Sequence, residues 1–321
     1  MKTSVVIPAF NSEKTLPACL AALQNQTVPA ESVEIIVIDD GSTDNTPKIA
    51  REHNVRYVFQ ANRGPAAARN HGARLAAGEF LLFTDADCEP LPNWIEQMIK
   101  PFEDKDVVAV KGAYLTRQAH LAPRFAQQEF EDRYDLLETA ESIDMVDTYS
   151  AAFRRSVFNE MNGFDESFPK ANNEDTELSY RLVDAGHKLA FNRQALVYHT
   201  HPETLRKYLR VKFTRGYWRI VVYRRFPSKA VRDSYTPAVI KIQTLLAAAS
   251  FAAIPVGIVF PWLCFGPVAL WIAILATAIP FARKVYQRDP GVGLVAPVIV
   301  LLRALVFAAG SLLGLVSGKR S

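Results

Sequence analysis

The sequence predicts an α/β fold: a mostly parallel sheet flanked by helices, then a basic helix, then a C-terminal helical membrane region. Over residues 3–203, short apolar runs of strand length alternate with segments of helical periodicity, which is the rhythm of a parallel sheet. Beyond that point acidic residues nearly disappear and long uncharged apolar stretches begin. We therefore expect three parts, at residues 1–203, 204–236 and 237–321.

The charge of the 321-residue chain is divided unequally. Residues 1–203 hold 20 Lys and Arg against 31 Asp and Glu, whereas residues 204–321 hold 17 against 2. A basic, apolar part favours a membrane surface as partner over nucleic acid, because its apolar stretches are too long for a soluble binding module. Three widely spaced cysteines form neither a disulfide framework nor a zinc spacing, and no cleavable signal pattern precedes the first strand. We expect residues 1–203 to lie in the cytoplasm.

Four apolar runs predict the first half of the sheet, at residues 3–8, 33–38, 55–59 and 80–84. Helix signals lie between them, such as the possible caps Asn11 and Ser12. Right-handed crossovers place the residues after parallel strands along one edge, where ligands bind in open α/β sheets. The residues expected to converge there are Pro8, Ala9, Phe10, Asp39, Asp40, Asp85 and Asp87.

The second half of the predicted sheet region is less regular. The pattern indicates helices at 92–102, 121–141 and 174–185, and strands at 107–111, 151–155 and 196–198. The last of these strands leads into His199.

Asp85 and Asp87 lie one residue apart, so both side chains point to the same side of an extended chain. Two hard oxygen donors at a strand end suit Mg²⁺ or Mn²⁺, ions that keep waters and bind substrate phosphates. Taken alone, such a pair is more often a solvated turn after a strand, and the rest of the chain decides in favour of the metal site.

Six segments of residues 3–203 form an ordered set of motifs: Val6–Asn11, Asp39–Asp44, Gly64–Asn70, Thr84–Asp87, Gly163–Glu166 and Asn173–Leu178. In their order and spacing the chain resembles the family 2 glycosyltransferases of the GT-A fold. Each segment alone is weak, but six in order are specific. The resemblance implies an inverting transferase that uses a nucleotide-diphosphate sugar, with a UDP-sugar favoured, and a Mn²⁺ or Mg²⁺ cofactor.

The resemblance also implies roles for individual residues. Asp175 would be the catalytic base, Asp87 the metal ligand, and His199 either a further ligand or a structural histidine. Glu174 and Arg154 would support the site or contact the acceptor. The residues implied to bind the nucleotide sugar are Pro8, Ala9, Phe10, Asp39, Asp40, Arg69 and Asp85, with Asp40 favoured for the base.

Two of these roles have structural alternatives. Arg69 could instead form a salt bridge with Asp39 or Asp40. The acids at residues 174–177 could merely complement a helix dipole at its N-terminus.

One segment departs from the processive members of the superfamily, which carry Gln-x-x-Arg-Trp after the base. The corresponding region, residues 212–219, has no such glutamine. The apolar part is also too small for a polymer channel. We therefore expect one sugar to be added in each encounter.

The C-terminal part begins with a basic segment and continues with apolar ones. Residues 204–232 hold ten Lys and Arg and no acid, which indicates a basic amphipathic helix on an anionic membrane or a solvated basic helix. Residues 242–281 are uncharged, and as one helix they would reach ~60 Å against a bilayer core of ~30 Å. A break at Phe260-Pro261 or Gly266-Pro267 therefore predicts a two-helix hairpin. The basic cluster at 283–288 indicates a cytoplasmic loop, on the same side as the basic helix.

The third apolar stretch, residues 292–316, has Arg303 at its middle. A charge at the bilayer centre costs at least ~2.5 kcal/mol on the insertion scale. A third span packed against the other two is favoured over an interfacial or re-entrant helix.

The sequence thus predicts a transferase at the cytoplasmic face of the inner membrane, acting on a hydroxyl of a membrane-associated, lipid-linked glycan acceptor. A transferase to polyprenyl phosphate is the near alternative. Its acceptor oxygen is already ionised and needs no base, so the candidate base Asp175 argues mildly against it. A non-catalytic membrane-anchored scaffold that binds nucleotide sugars is the alternative of another class. A nucleotidyltransferase is disfavoured, because residues 8–12 are not a glycine-rich phosphate loop.

Overall fold

The computed structural model describes residues 2–168, 173–231 and 233–317. The chain forms two compact units. The sheet unit comprises Met1–Arg117 and Tyr134–Thr200, and the helical unit comprises Gln118–Arg133 and His201–Ser321. The division into three parts expected from the sequence stays a prediction.

The sheet unit contains one eight-stranded mixed sheet. The strands are β1 (Thr3–Ala9), β2 (Val33–Asp40), β3 (Arg56–Gln60), β4 (Phe80–Phe83), β5 (Cys88–Pro90), β6 (Val107–Leu115), β7 (Ala151–Arg154) and β8 (Lys188–His199). Their order is β3-β2-β1-β4-β7-β6-β8-β5. Strands β1 to β4 pair in parallel, as do β6 and β8, whereas β7 and β5 run antiparallel to their neighbours.

Helices flank this sheet, which confirms the predicted α/β class. They are α1 (Leu16–Gln24), α2 (Thr46–Glu52), α3 (Pro65–Leu75), α4 (Trp94–Ile99), α6 (Arg155–Glu160) and α7 (Glu174–Asp184). Helix α5 (Leu121–Leu137) comes between α4 and α6 in the chain. Most of α5, up to Arg133, belongs to the helical unit.

The core of the sheet unit is built from the apolar runs that predicted it. Residues 5–7, 36–38 and 81–83 are 0% exposed, as expected for strands covered on both faces. Helix α3 lies directly on β1, since a Cβ added at Gly72 would overlap the Val6 side chain. This close contact fixes the helix that carries Arg69.

Strand β8 is longer than the sequence indicated. Its pattern predicted only residues 196–198, but the strand runs over Lys188–His199. The missed part contains polar residues, such as Asn192 and Gln194, and has no apolar alternation. Residues 188–191 pair with β6, whereas residues 192–195 lie at an irregularity between the two paired stretches.

The helical unit contains, besides α5, helices α8 (Leu205–Arg225), α9 (Pro227–Val231), α10 (Ala238–Val259), α11 (Gly266–Arg288) and α12 (Pro290–Val316). Three segments are long and apolar enough to cross a membrane: Ala238–Val259, Pro261–Arg288 and Pro290–Val316. The predicted hairpin break is confirmed at residues 260–265. The basic cluster at 283–288, however, continues α11 instead of forming a loop.

Helices α8 and α12 pack with their backbones close together. A Cβ at Gly310 would overlap the Phe213 carbonyl oxygen, and one at Gly216 would overlap that of Phe307. Small residues permit such close contact between helices in a lipid environment. The basic helix α8 is therefore tightly packed along one side.

The charge in the middle of α12 is paired. Arg303 Nη1 donates to Glu129 Oε1 at 2.5 Å, and Arg303 Nη2 donates to Gln243 Oε1 at 2.6 Å. The desolvation cost expected for this arginine is offset by a carboxylate of α5 and an amide of α10.

Candidate active site

The carboxyl ends of β1, β2, β4 and β8 share one edge of the sheet, here called the carboxyl edge. The predicted segments at residues 8–10, 39–40 and 85–87 lie there, as does His199. Phe10 at the end of β1 is 51% exposed, so its ring is available as an apolar platform. The structure thus brings most predicted site residues to one edge.

Asp39 and Asp40 are buried and hold the surrounding loops. Asp39 accepts hydrogen bonds from Ser42 N at 2.8 Å and Tyr57 Oη at 2.7 Å. A carboxylate oxygen has two lone pairs, so these bonds leave acceptor capacity.

Asp40 organises the turn before α3. Its Oδ1 accepts from Gln60 Nε2 at 2.7 Å and Arg63 N at 2.9 Å, and its Oδ2 accepts from Gly64 N at 2.8 Å. Gly64 has φ +90°, a conformation that glycine adopts without strain. No motif in the sequence signalled that Tyr57 and Gln60 would contact these acids.

Arg69 bridges two acids at the carboxyl edge. Its Nη2 donates to Asp85 Oδ1 at 2.6 Å and its Nη1 donates to Glu174 Oε1 at 3.0 Å. The guanidinium and the Glu174 carboxylate are each 3% exposed, so this ion pair is shielded from water. The alternative salt bridge to Asp39 or Asp40 is wrong: Arg69 pairs with acids at β4 and α7 instead.

Asp87 and His199 face each other across the β5–β8 pairing. Asp87 Oδ2 and His199 Nε2 are 3.9 Å apart, and Cys88 Sγ belongs to the same cluster. Burial raises the pKa of Asp87, and the nearby His199 opposes that rise. Burial also raises the pKa of the Cys88 thiol well above its ordinary value, so the sulfur stays protonated.

Aromatic rings and a buried ion pair support His199. The Tyr114 ring lies 4.6 Å from the His199 ring, and Tyr149 lies on the far side of Tyr114. Beneath them, the fully buried Lys111 pairs with Asp147. Sequence reasoning missed this support, although a lysine inside the apolar run of β6 is a signal that a buried acid pairs with it.

Asp175 is the second residue of α7. It is half-buried, and its Oδ1 accepts from Thr176 N at 2.7 Å. Burial raises the pKa of Asp175 to about 7, and the negative charges of Glu174 and Asp147 add to the rise. A carboxyl group with such a pKa can accept a proton near neutral pH.

Arg154 does not belong to this edge, which corrects its expected role as a support or acceptor contact. It pairs with Phe80 at the opposite end of β4, because β7 runs antiparallel. Its guanidinium donates to the carbonyl oxygens of Val107 and Phe102, each at 2.8 Å. These bonds show that Arg154 stabilises the start of β6 and the turn before it.

Comparisons with known sequences point to one family. The model of the family described as "Glycosyl transferase family 2" matches residues 4–161. Glycosyltransferase AglE of Haloferax volcanii is 27% identical over 217 residues, which are 65% of this chain and 71% of that protein. Validoxylamine A glucosyltransferase of Streptomyces hygroscopicus subsp. limoneus is 31% identical over 226 residues, 60% of this chain and 50% of that protein. The chain thus spans about half the length of some of these relatives.

Solved structures share the fold. Mannosyltransferase PcManGT from Pyrobaculum calidifontis, in complex with GDP-Man and Mn²⁺, has a TM-score of 0.63 at 20% identity, covering 99% of this chain and 88% of that one. S. aureus TarS 1-349 has a TM-score of 0.51 at 19% identity, covering 99% and 92%. These likenesses place the sheet unit in the GT-A fold.

Proposed function

Because this chain carries the domain of the family 2 glycosyltransferases, we propose that it transfers a sugar from a nucleotide diphosphate to a hydroxyl group of a membrane-associated acceptor, with inversion at the anomeric carbon. The observation that carries this proposal is the carboxyl edge. The exposed Phe10 ring and the Asp87–His199 pair lie at this edge. Asp175, with a pKa of about 7, adjoins Glu174, which Arg69 links to Asp85 at the same edge.

Asp175 is the catalytic base in this proposal. Direct displacement requires a group that removes the proton of the acceptor hydroxyl as its oxygen attacks. The acids Glu174 and Asp147 make Asp175 a stronger base than an ordinary carboxylate. An asparagine could not accept this proton, and a solvated aspartate of ordinary pKa would be a weaker base.

Asp87 and His199 are the proposed ligands of a divalent ion. Their 3.9 Å separation is below the ~4.2 Å that joins opposite ligands of an octahedral ion with ~2.1 Å bonds, so both can bind one ion. Cys88 Sγ belongs to the same cluster, but Mg²⁺ and Mn²⁺ prefer oxygen and nitrogen donors to a thiol. Carboxylate and imidazole together suit Mn²⁺ somewhat better than Mg²⁺. When bound, the ion neutralises charge on the leaving diphosphate.

The remaining residues hold the donor. Phe10 and the chain around Pro8 and Ala9 line the nucleotide slot, and Asp40 retains acceptor capacity for an N–H of the base. Arg69 keeps Asp85 and Glu174 in fixed positions, which supports a positioning role beside the diphosphate.

The C-terminal helices support the membrane acceptor. Three segments could cross a membrane, and residues 204–321 hold 17 Lys and Arg against 2 acids. Basic segments next to spans favour the cytoplasmic side, so we place the transfer at the inner face of the cell membrane. A lipid-linked glycan would present its hydroxyl groups there.

Nucleotide sugars should raise the melting temperature of the protein, and Mn²⁺ should increase that rise. Asp87→Asn should remove most of the Mn²⁺-dependent part, because it removes a charged ligand. Thermal-shift assays with UDP- and GDP-sugars, with and without Mn²⁺, measure both effects. Asp184→Asn makes the same change at the exposed end of α7 and should keep the full response. Failure of every nucleotide to stabilise the protein would contradict the proposal.

The dependence of kcat/KM on pH should show the titration of Asp175. Since the base acts when deprotonated, kcat/KM should fall below an apparent pKa near 7 and level off above it. Glu174→Gln removes a negative charge that raises this pKa, so the acidic limb should move to lower pH. A limb near pH 4, where an ordinary aspartate titrates, would count against Asp175. A kcat/KM that shows no titration of a catalytic base would favour an acceptor that is already ionised, such as a lipid phosphate.

A further inference from the structure

The helical unit contains a cavity of about 310 Å³, within the size range of small-molecule sites. Helices α8, α10 and α12 supply most of its walls. The apolar part of the lining includes Ile220, Leu245, Ala248, Phe307, Leu312 and Leu315. Leu245 and Leu315 are also 70% and 52% exposed, so the cavity opens onto an apolar surface.

The polar part of the cavity is strongly cationic. Among its described lining residues, six carry a positive charge and only Glu129 carries a negative one. The six are Arg133, Lys212, Arg215, Arg219, Lys241 and Arg303.

The acids at the cavity neutralise only part of this charge. Glu129 is shared between Lys212 at 2.7 Å and Arg303 at 2.5 Å, and Asp233 pairs with Lys241 at 2.8 Å. Within residues 2–168, 173–231 and 233–317, the guanidinium of Arg215 has neither a hydrogen bond nor an ion pair. A guanidinium beside an apolar cavity is stabilised when an anion satisfies its N–H groups.

We propose that this cavity binds one anionic lipid, with its phosphate group at Arg215 and the neighbouring cations and its hydrocarbon chain along α10 and α12. Basic pockets between membrane helices bind lipid headgroups in this way, and arginine matches phosphate with paired hydrogen bonds. The apolar walls and the opening at Leu245 and Leu315 favour a lipid over free phosphate. This site does not depend on the transfer reaction, since every lining residue belongs to the helical unit.

Lipid binding to the delipidated full chain in detergent tests the proposal, with native mass spectrometry and thermal shift as readouts. Phosphatidic acid and phosphatidylglycerol should bind and raise the melting temperature, and phosphatidylcholine should not. Phosphatidic acid carries a phosphate monoester and phosphatidylglycerol a phosphate diester, so the order of their affinities shows which kind of phosphate group the cavity prefers. Equal binding of phosphatidylcholine, or equal stabilisation by inorganic phosphate alone, would overturn the proposal.

Three variants localise the binding. Arg215→Gln should weaken phosphatidic acid binding by about tenfold or more, because it removes a charge-assisted hydrogen bond. Ala248→Phe fills the apolar part and should weaken binding with all charges retained. Arg210→Gln is the matched control: it removes the same charge from an exposed position of α8 outside the cavity. If Arg210→Gln weakens binding as much as Arg215→Gln, the lipid is held by general surface charge and the proposal is wrong.

Discussion

Asp175→Asn is expected to lower kcat by about a thousandfold while nucleotide-sugar affinity stays within about twofold. Asparagine has almost the same shape as aspartate, and its Oδ1 can still accept from Thr176 N. The amide cannot take up the proton of the acceptor hydroxyl, so attack proceeds without a base. Initial rates at saturating donor measure kcat, and calorimetric titration with the nucleotide sugar measures the affinity.

Asp184→Asn provides the matched control for this prediction. It makes the same chemical change on the same helix, at an exposed position in the last turn of α7. Its kcat should equal that of the unchanged protein. Near-normal turnover in Asp175→Asn would show that another group is the base. Loss of nucleotide binding together with turnover would instead assign Asp175 to the donor site.

Glu129→Gln is expected to destabilise the folded protein by about 3 kcal/mol, because it leaves buried cations without their counter-charge. Glu129 accepts from Arg303 Nη1 at 2.5 Å and from Tyr208 Oη at 2.8 Å, and pairs with Lys212 at 2.7 Å. Burial alone would raise the pKa of Glu129, but Lys212 and Arg303 outweigh it and hold that pKa well below its ordinary range. The carboxylate is therefore ionised at neutral pH.

The two cations would respond differently to the loss of Glu129. Burial lowers the pKa of Lys212 to about 7, so this amine can lose its proton when the carboxylate is removed. Arg303 stays charged in any case and bears most of the penalty. At ~2–4 °C per kcal/mol, the melting temperature should fall by ~6–12 °C, which differential scanning fluorimetry resolves.

Glu203→Gln is the control for this second prediction. Glu203 is an exposed acid of the helical unit, 4.0 Å from Lys207, and its loss should cost less than ~1 kcal/mol. A fall in melting temperature for Glu129→Gln no larger than that of Glu203→Gln would contradict the view that Glu129 neutralises Arg303.

Much of the fold and of the candidate site followed from local patterns. The runs at residues 3–8, 33–38 and 80–84 predicted strands, and all three lie in the buried sheet. The acids after them converge because parallel strands end at one edge, which connectivity alone dictates. The roles of Asp175, Asp87 and His199 remain predictions, although the structure puts each in a suitable environment.

Other features depended on pairings between distant segments. Strand β8 was underestimated because its first residues, 188–191, are held in the sheet by pairing with the distant strand β6, and an irregular polar stretch separates them from residues 196–198. Arg154 was misplaced because the sequence does not state that β7 runs antiparallel to β4. The alternative salt bridge of Arg69 to Asp39 or Asp40 was wrong, because its partners come from the loop after β4 and from α7.

By itself, the sequence determined the α/β class, the strand ends that carry acids, the family resemblance and the apolar helices, because periodicity and short motifs are local properties. The tertiary structure alone decided which charges meet. Glu129 and Arg303 lie far apart in the chain, and only the packing of α5 against α12 makes an apparently misplaced arginine part of a buried ion pair. Electrostatic partners depend on distance in space, and no local pattern encodes that distance.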